Sequence, residues 1–373
     1  MRLIIERGAL LKALSHVTSV VERRNTIPIL SNVLLEAADG TLKLMATDLD
    51  IAVVESAGAD VASPGATTLA AHTFYDIVRK LPDGVQIELS LGPDEGRLSL
   101  SSGQAHFALQ VLPPNDFPNL SVSDMSHAFD IPVADLKRLI EKTRFAISTE
   151  ETRYYLNGIY LHAIADDDGA DALRAVATDG HRLAQVEAPL PEGAAGMPGI
   201  IIPRKTVFEL HKLIEGAEEA VHVELSASTI RFVAGHVVLT SKLIDGTFPD
   251  YARVIPQAND KVLNVSNADF SHAVDRVSTV SSDKGRAVKL NLGDGKLVLS
   301  VNNPDSGSAT EELPVQYDSD AIEIGFNARY LLDISGQLES DTMQVMLSDP
   351  GSPTMVKDDA DATALYVLMP MRV

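Results

Sequence analysis

Apolar residues recur along this chain at two periods, and the two alternate in a fixed order. Strict apolar/polar alternation, the mark of a half-buried strand, runs through Asp39 to Asp50 (DGTLKLMATDLD), Ala170 to Leu183 (ADALRAVATDGHRL) and Asp294 to Asp305 (DGKLVLSVNNPD). Each of these segments opens on a turn and closes on a small polar corner. The corners at Asp48, Asp179 and Asn303 stand 131 and 124 residues apart, a period near one third of the chain.

Helical spacing recurs at the same interval. An amphipathic helix precedes each strand block, with Leu10, Leu11, Leu14 and Val17 in the first, Leu136, Leu139, Ile140 and Thr143 in the second, and Phe270, Val274 and Val277 in the third. A second helix follows each corner, near Phe74 to Leu81, Val207 to Ile214 and Tyr330 to Leu338. The pattern predicts helices over 8–24, 72–82, 133–147, 204–215, 267–281 and 327–338. Two units close on an aromatic-proline phrase, DFPN at Asp116 to Asn119 and TFPDY at Thr247 to Tyr251. Three similar domains are therefore expected, 1–125, 126–253 and 254–373. Asp39-Gly40, Asp83-Gly84 and Asp294-Gly295 read as tight turns between short strands. The expected fold class is α+β, with two helices per domain on one face of antiparallel sheets.

The 373 residues are 45% hydrophobic and 22% charged, which excludes wholesale disorder. With no cysteine there are no disulfides and no thiolate nucleophiles or ligands. The start MRLIIERG is too charged for a signal peptide, and no apolar run reaches the length of a membrane span. A soluble, cytoplasmic protein is expected.

Catalytic and metal signals are weak. Gly293 to Lys296 resembles the tail of a phosphate loop, but Leu290 and Leu297 stand where glycine and a hydroxyl are required, so a hairpin turn is expected. Asp166 to Gly169 lacks the alternating ligands and closing Glu of a calcium loop. Asp179 and His181 have no nucleophile in view, and no HExxH pairing occurs. No cofactor, metal or catalytic residue is expected.

Charge changes the picture. With 31 Lys and Arg against 52 Asp and Glu, the net of −21 argues at first against nucleic acid. Over the six expected helices, however, there are 14 basic and 9 acidic residues, a net of +5, leaving −26 elsewhere. Basic residues gather at Arg23 and Arg24, at Arg79 and Lys80, at Lys137, Arg138, Lys142 and Arg144, and at Arg204, Lys205 and Lys212, on positions that the apolar stripes leave exposed. Helix dipoles explain those at C-termini, but not Arg204 and Lys205, which open a helix. A positive helical face in an acidic body fits sequence-tolerant contact with a phosphate backbone.

The runs RRNTIPILSNVLLEAADGTLKLMATDLD (23–50), TRYYLNGIY (152–160), VATDGHRLA (176–184), IIPRK (201–205), TSKLIDGTFPDYARVIP (240–256), IGFNARYLLD (324–333) and YVLMPMRV (366–373) closely resemble the bacterial DNA polymerase III beta subunit family, the sliding clamps, in order and over the whole chain. The resemblance implies a homodimeric ring, with helices lining a hole and sheets outside. It implies a head-to-tail contact of the first domain with the third domain of a second copy, through segments holding Phe107, Thr279 and Val280. It implies encircled double-stranded DNA, touched by Arg24, Tyr154, Tyr155, Arg204 and Lys205; Arg79 and Lys80 join these on charge. It implies, too, a non-catalytic role in tethering the replicative polymerase.

The same resemblance implies a cleft made of Leu156, Thr178, Gly180, Arg182, Leu183, Pro249, Arg253, Val254, Asn327, Tyr330, Val367, Met369, Pro370, Met371 and Arg372. This cleft would take short linear motifs, with a Gln and two apolar anchors, from the polymerase alpha subunit, the clamp loader, other polymerases and repair proteins. The apolar, Met-rich terminus suits a surface that accepts several partners. Gly351 to Pro353 departs from the family pattern at the expected rim. Two readings from other classes compete: an acidic scaffold that binds only proteins, and a β-rich hydrolase using paired carboxylates.

Overall fold

The computed structural model describes residues 1–92, 96–118, 124–165, 171–217, 219–281 and 286–372. Asn119, the run from Asp166 to Gly169 and Val373 lie outside them. The described helices are α1 (Arg7–Thr18), α2 (Ala71–Lys80), α3 (Val133–Glu141), α4 (Arg204–Leu213), α5 (Asn267–Ser278) and α6 (Ala328–Ser335), two in each third of the chain, as the periodicity predicts.

Several ends fall short of the expected ones. Helix α1 stops at Thr18 rather than Arg24, because Ser19 N–H and Ser19 Oγ both donate to the His16 carbonyl, at 3.4 and 2.6 Å, and Val21 N–H donates to the Thr18 carbonyl at 3.2 Å. Such i to i−3 bonds tighten and end a helix. Arg23 and Arg24 therefore stand in the loop beyond α1. Helix α3 stops at Glu141, and Arg144–Ala146 forms a separate 3-10 turn.

The strands are antiparallel and gather into two compact units. The first comprises Met1–Ala134, Pro191–Pro198 and Lys205–Leu243, the second Asp135–Leu190, Gly199–Arg204 and Ile244–Val373. One thirteen-stranded sheet runs through the first unit, in which Val237–Lys242 pairs with Ile51–Gly58, placing Leu239 opposite Val53. Helices α1 and α2 pack together there through buried Leu10, Leu14, Val17, Phe74 and Val78. The second unit holds an eight-stranded and a four-stranded sheet. In the larger of these, Arg182–Pro189 pairs with Asp361–Leu368, placing Leu183 opposite Val367. Helices α5 and α6 pack through Phe270, Val274, Val277, Leu331 and Ile334. Each unit thus joins one sheet of the central third to a sheet of a neighbouring third.

The repeated corners share one bonding scheme. In the first, Thr47 Oγ1 donates to the Ile51 carbonyl and accepts from Leu49 N–H, while Asp48 Oδ1 accepts from the N–H of Asp50 and Ile51. In the second, Thr178 and Asp179 repeat each bond with Arg182, Gly180 and His181 as partners. The third keeps only part of the scheme, in which Asn303 Oδ1 accepts from Asp305 N–H at 3.0 Å. At the other end of the hairpins, Asp39 and Gly40, like Asp294 and Gly295, have positive φ, as a two-residue turn joining twisted strands requires. This settles Gly293 to Lys296 as a hairpin turn.

Two basic residues expected to be exposed are instead neutralised. Asp361 accepts from Arg138 Nη2 at 2.5 Å and from Lys142 Nζ at 2.8 Å, and Lys142 also reaches Glu339 at 2.6 Å. The Asp361 and Lys142 side chains are only 8% exposed. Burial alone would raise the Asp361 carboxyl, but hydrogen bonds from Arg138 and Lys142 outweigh it and hold the group well below the ordinary carboxylate range. This part of the basic helical face is an internal ion cluster.

Candidate functional site

Strands Asp171–Thr178, Arg182–Pro189 and Asp361–Leu368 lie side by side in the larger sheet of the second unit. Their apolar residues Val176, Leu183 and Val367 form a buried cluster with Leu156, Ile201, Phe248 and Tyr251. A cavity of about 250 Å³ opens above this cluster. Of the expected cleft residues, Leu156, Thr178, Gly180, Arg182, Leu183, Pro249, Val254, Val367 and Met369 line it. Val254 and Met369 are large apolar side chains left 47% and 37% exposed on the lining of this cavity.

Arg182 organises the polar side. Its Nε donates to Asp179 Oδ2 at 3.2 Å, Nη1 to Asp333 Oδ2 at 2.5 Å and Nη2 to the Phe145 carbonyl at 2.6 Å. Its guanidinium also stacks over the Tyr330 ring, 4.3 Å from the centroid, with Phe145 at 5.1 Å. Tyr330 and α6 are therefore fixed to the cleft through Arg182, although Tyr330 does not line the cavity.

The remaining expected residues fall nearby. Asn327 Oδ1 caps α6 by accepting from Arg329 N–H at 3.0 Å. Arg253 pairs with Asp250 at 2.7 Å. Met369 N–H donates to the His181 carbonyl and Met371 N–H to the Gly325 carbonyl, both at 2.8 Å, so Pro370 sits between two anchored residues. Arg372 follows them and is exposed. Gly351 to Pro353 is a turn closed by the Asp349 carboxylate and does not line the cavity.

Four lining residues went unassigned to the cleft on sequence: Arg153, Tyr155, Asp250 and Tyr251. Arg153 pairs with Glu150 at 2.7 Å and faces Gly180, where a Cβ would lie 2.5 Å from Arg153 Nη1. Glycine thus keeps the corner and Arg153 in contact, and φ at Gly180 is +85°. Behind the cavity the Tyr251 hydroxyl accepts from Arg174 Nη1 and donates to His162 Nε2, both at 3.0 Å. Burial and the nearby Arg174 hold the His162 imidazolium below its ordinary range, against the Ala163 carbonyl and Glu187.

The expected DNA-touching residues divide. Arg24 and Arg204 are exposed, as are Arg79 and Lys80 at the end of α2. Tyr154 is 53% exposed, whereas Tyr155 turns into the cleft, its ring edge-on to Tyr154 at 5.8 Å. Lys205 is occupied: its ammonium meets Glu22 at 2.5 Å, Asp48 at 2.6 Å and the Val20 carbonyl at 3.2 Å. Burial pulls its proton affinity down, yet the two carboxylates leave it above the ordinary lysine value.

Phe107 lies in strand Ala105–Leu112. That strand pairs through Ala105–Gln110 with Arg97–Ser102, but on its other side, among the described residues, only Val111 and Leu112 find strand partners. An open edge therefore runs from Ala105 to Gln110. Gly307–Pro314 ends the four-stranded sheet as a second edge strand. Thr279, exposed at the end of α5, donates to the Asp275 carbonyl at 3.2 Å, and the Val280 carbonyl accepts from Asn303 at 3.0 Å.

Comparison with known proteins matches three consecutive family models: the N-terminal domain of the DNA polymerase III beta subunit at residues 1–121, its central domain at 130–250 and its C-terminal domain at 252–372. The beta sliding clamp of Caulobacter vibrioides is 53% identical over 373 residues, all of both chains, and that of Escherichia coli K12 is 39% identical over 374. The crystal structure of a sliding clamp from Bartonella birtlesii bound to griselimycin superposes with a TM-score of 0.97 at 56% identity, covering all of both chains. The C. crescentus clamp superposes at 0.98 and 53%, covering 100% of this chain and 99% of that one. The chain belongs to the DNA polymerase III beta subunit family of sliding clamps.

Proposed function

We propose that this chain is the processivity clamp of DNA polymerase III: two copies close into a ring around duplex DNA and tether the polymerase to its template. Full-length correspondence with sliding clamps carries this reading. Three domains, 1–125, 126–253 and 254–373, supply the repeating arc. The open edge beside Phe107 pairs with the segment around Thr279, Val280 and strand Gly307–Pro314 of a second copy, a head-to-tail contact that closes after two subunits.

The mechanism is topological and uses no catalysis. An open patch with a few phosphate contacts would hold DNA at roughly 10⁻⁴ to 10⁻⁶ M and release it as salt rises. A closed ring needs only to stay closed, so weak contacts from Arg24, Arg79, Lys80, Tyr154 and Arg204 permit sliding. Lys205, paired twice with carboxylates, holds the corner at Asp48 and contributes little to DNA.

The cleft takes a linear peptide: the apolar walls at Leu156, Leu183, Val254, Val367 and Met369 accept its anchors, and Arg153 on the lining offers a polar partner. Polymerase and clamp loader compete for it, and tethering gives the polymerase a high effective concentration at the primer end.

Deleting Met369 to Val373 tests the cleft assignment. Binding of a labelled polymerase-tail peptide is expected to vanish while the unfolding temperature shifts by only a few degrees. Undiminished peptide binding would overturn the assignment.

A further inference from the structure

One wall of the cleft, Pro249, Asp250, Tyr251 and Val254, comes from a single short run that ends in a 3-10 turn, Tyr251–Val254. Arg253 and Ile255 direct their N–H groups back to the carbonyls of Asp250 and Ala252, within the same stretch. Among the described residues, the hydrogen bonds that tie 245–258 to the rest of the chain are all made by the Tyr251 hydroxyl, to Arg174 and His162. The wall that presents Val254 thus hangs on one phenol and on its packing against buried Phe248 and Leu156.

We propose that His162 and Arg174 are positioning residues for this cleft: they hold the Tyr251 wall in place, and the cleft binds its peptide best while the His162 imidazole is neutral. The inference rests on the reading of the cavity as a peptide cleft. The Ala163 carbonyl, 3.3 Å from Nδ1, can only accept, so Nδ1 carries the proton of the neutral ring and Nε2 offers its lone pair to the Tyr251 O–H. Arg174 can only donate, so the phenol oxygen accepts from it. Protonation puts an N–H on Nε2: the Tyr251 O–H loses its acceptor, and two cations then face one phenol oxygen in a half-buried site. Arg174 stands opposite His162 in the neighbouring strand, and among the described residues Glu187 is the carboxylate that faces the pair. It is already engaged by Arg174 Nη2 at 2.5 Å and Nε at 2.8 Å, and by Gln185 at 3.4 Å. On the other side, strand Ile200–Pro203 brings no titratable group. The imidazole is also pinned: Tyr160 stacks on it at 4.7 Å and on Phe248 at 4.8 Å, and a Cβ at Gly199 would collide with the Tyr160 hydroxyl. The conflict therefore falls on Tyr251 and the wall it tethers. Burial, aided by Arg174, holds the imidazolium below its ordinary range against the Ala163 carbonyl and Glu187, so peptide affinity should be full above about pH 6.5 and fall below it.

Fluorescence anisotropy with the full chain tests the proposal between pH 7.5 and 5.0, circular dichroism confirming the fold at each pH. The probe is a labelled peptide with a Gln and two apolar anchors but no His, Asp or Glu, so that the peptide itself does not titrate. The wild type is expected to lose up to about fivefold in affinity on acidification, and by reciprocity the peptide should lower the His162 titration midpoint, read from imidazole NMR shifts, by about 0.7 pH. His162→Gln keeps an acceptor for the Tyr251 O–H and should match the wild type at pH 7.5 with a flat profile below it. Tyr251→Phe keeps the ring but frees the wall, and should bind about fivefold more weakly at pH 7.5 with no further loss on acidification. A wild-type pH profile in His162→Gln, or full affinity in Tyr251→Phe, overturns the inference while leaving the peptide cleft intact. No binding by the wild type at pH 7.5 overturns the cleft reading itself, and the inference with it.

Discussion

Two aromatic rings flank the Arg182 guanidinium, and three acceptors take three of its five N–H groups before any peptide arrives. Sequence resemblance assigns Arg182 to the cleft; the geometry makes it a positioning residue, holding the Asp179 corner, Tyr330 and Asp333 in one arrangement. Lysine cannot reproduce this fork. Arg182→Lys is expected to lower peptide affinity tenfold or more by fluorescence anisotropy, with an unchanged salt dependence, because the peptide does not meet this charge directly. A steep change in the salt dependence would instead mark Arg182 as a direct ligand. His162 gives a second prediction. Its imidazolium is disfavoured in the folded chain, so the unfolded chain takes up the proton first as pH falls below about 6.5. Stability contributed by neutral His162 should be complete above that pH and be lost below it, and His162→Gln should flatten the fall in unfolding temperature between pH 7.5 and 5.5. Arg153 and Tyr155 escaped assignment to the cleft for one reason. They stand in an irregular 3-10 segment, Glu151–Leu156, where no periodicity tells which ring or guanidinium turns inward.

Helices announce themselves through spacing, and each of the six expected was found. Their ends were misjudged wherever polar side chains turned back on the helix, as Ser19 does on His16. That single feature moved Arg23 and Arg24 from a helix into a loop. The triplicated corner was legible as Thr-Asp in two copies and as Asn303 in the third. It was legible because its bonds are local, within four residues. At the third position of the first two corners stand Leu49 and Gly180, which share positive φ, +81° and +85°. Gly180→Ala would meet Arg153 at 2.5 Å. The expected cost is about 1–2 kcal/mol of stability from the left-handed backbone and the clash, together with at least tenfold weaker peptide binding. At Leu49 the reverse change, Leu49→Gly, should be neutral or slightly stabilising in denaturant melts, since it relieves the same backbone conformation.

At the scale of the whole molecule, strand pairing between distant segments was the least legible feature. Nothing local in Val237–Lys242 marks Ile51–Gly58 as its neighbour, nor Asp361–Leu368 as the neighbour of Arg182–Pro189. Charge was legible only in part. The net of −21 coexists with basic helices, but Arg138, Lys142 and Lys205 are neutralised by Asp361, Glu339, Glu22 and Asp48. The positive surface offered to DNA is thus smaller than the sequence count suggests. A clamp tolerates this because its hold on DNA comes from closure rather than affinity.

The most direct test is retention of the loaded protein on nicked circular DNA by gel filtration at a salt concentration that abolishes open-patch binding. Closure predicts that the protein stays with the circle and departs within minutes once a restriction enzyme linearises it. Equal dissociation from circle and linear DNA would contradict a topological link.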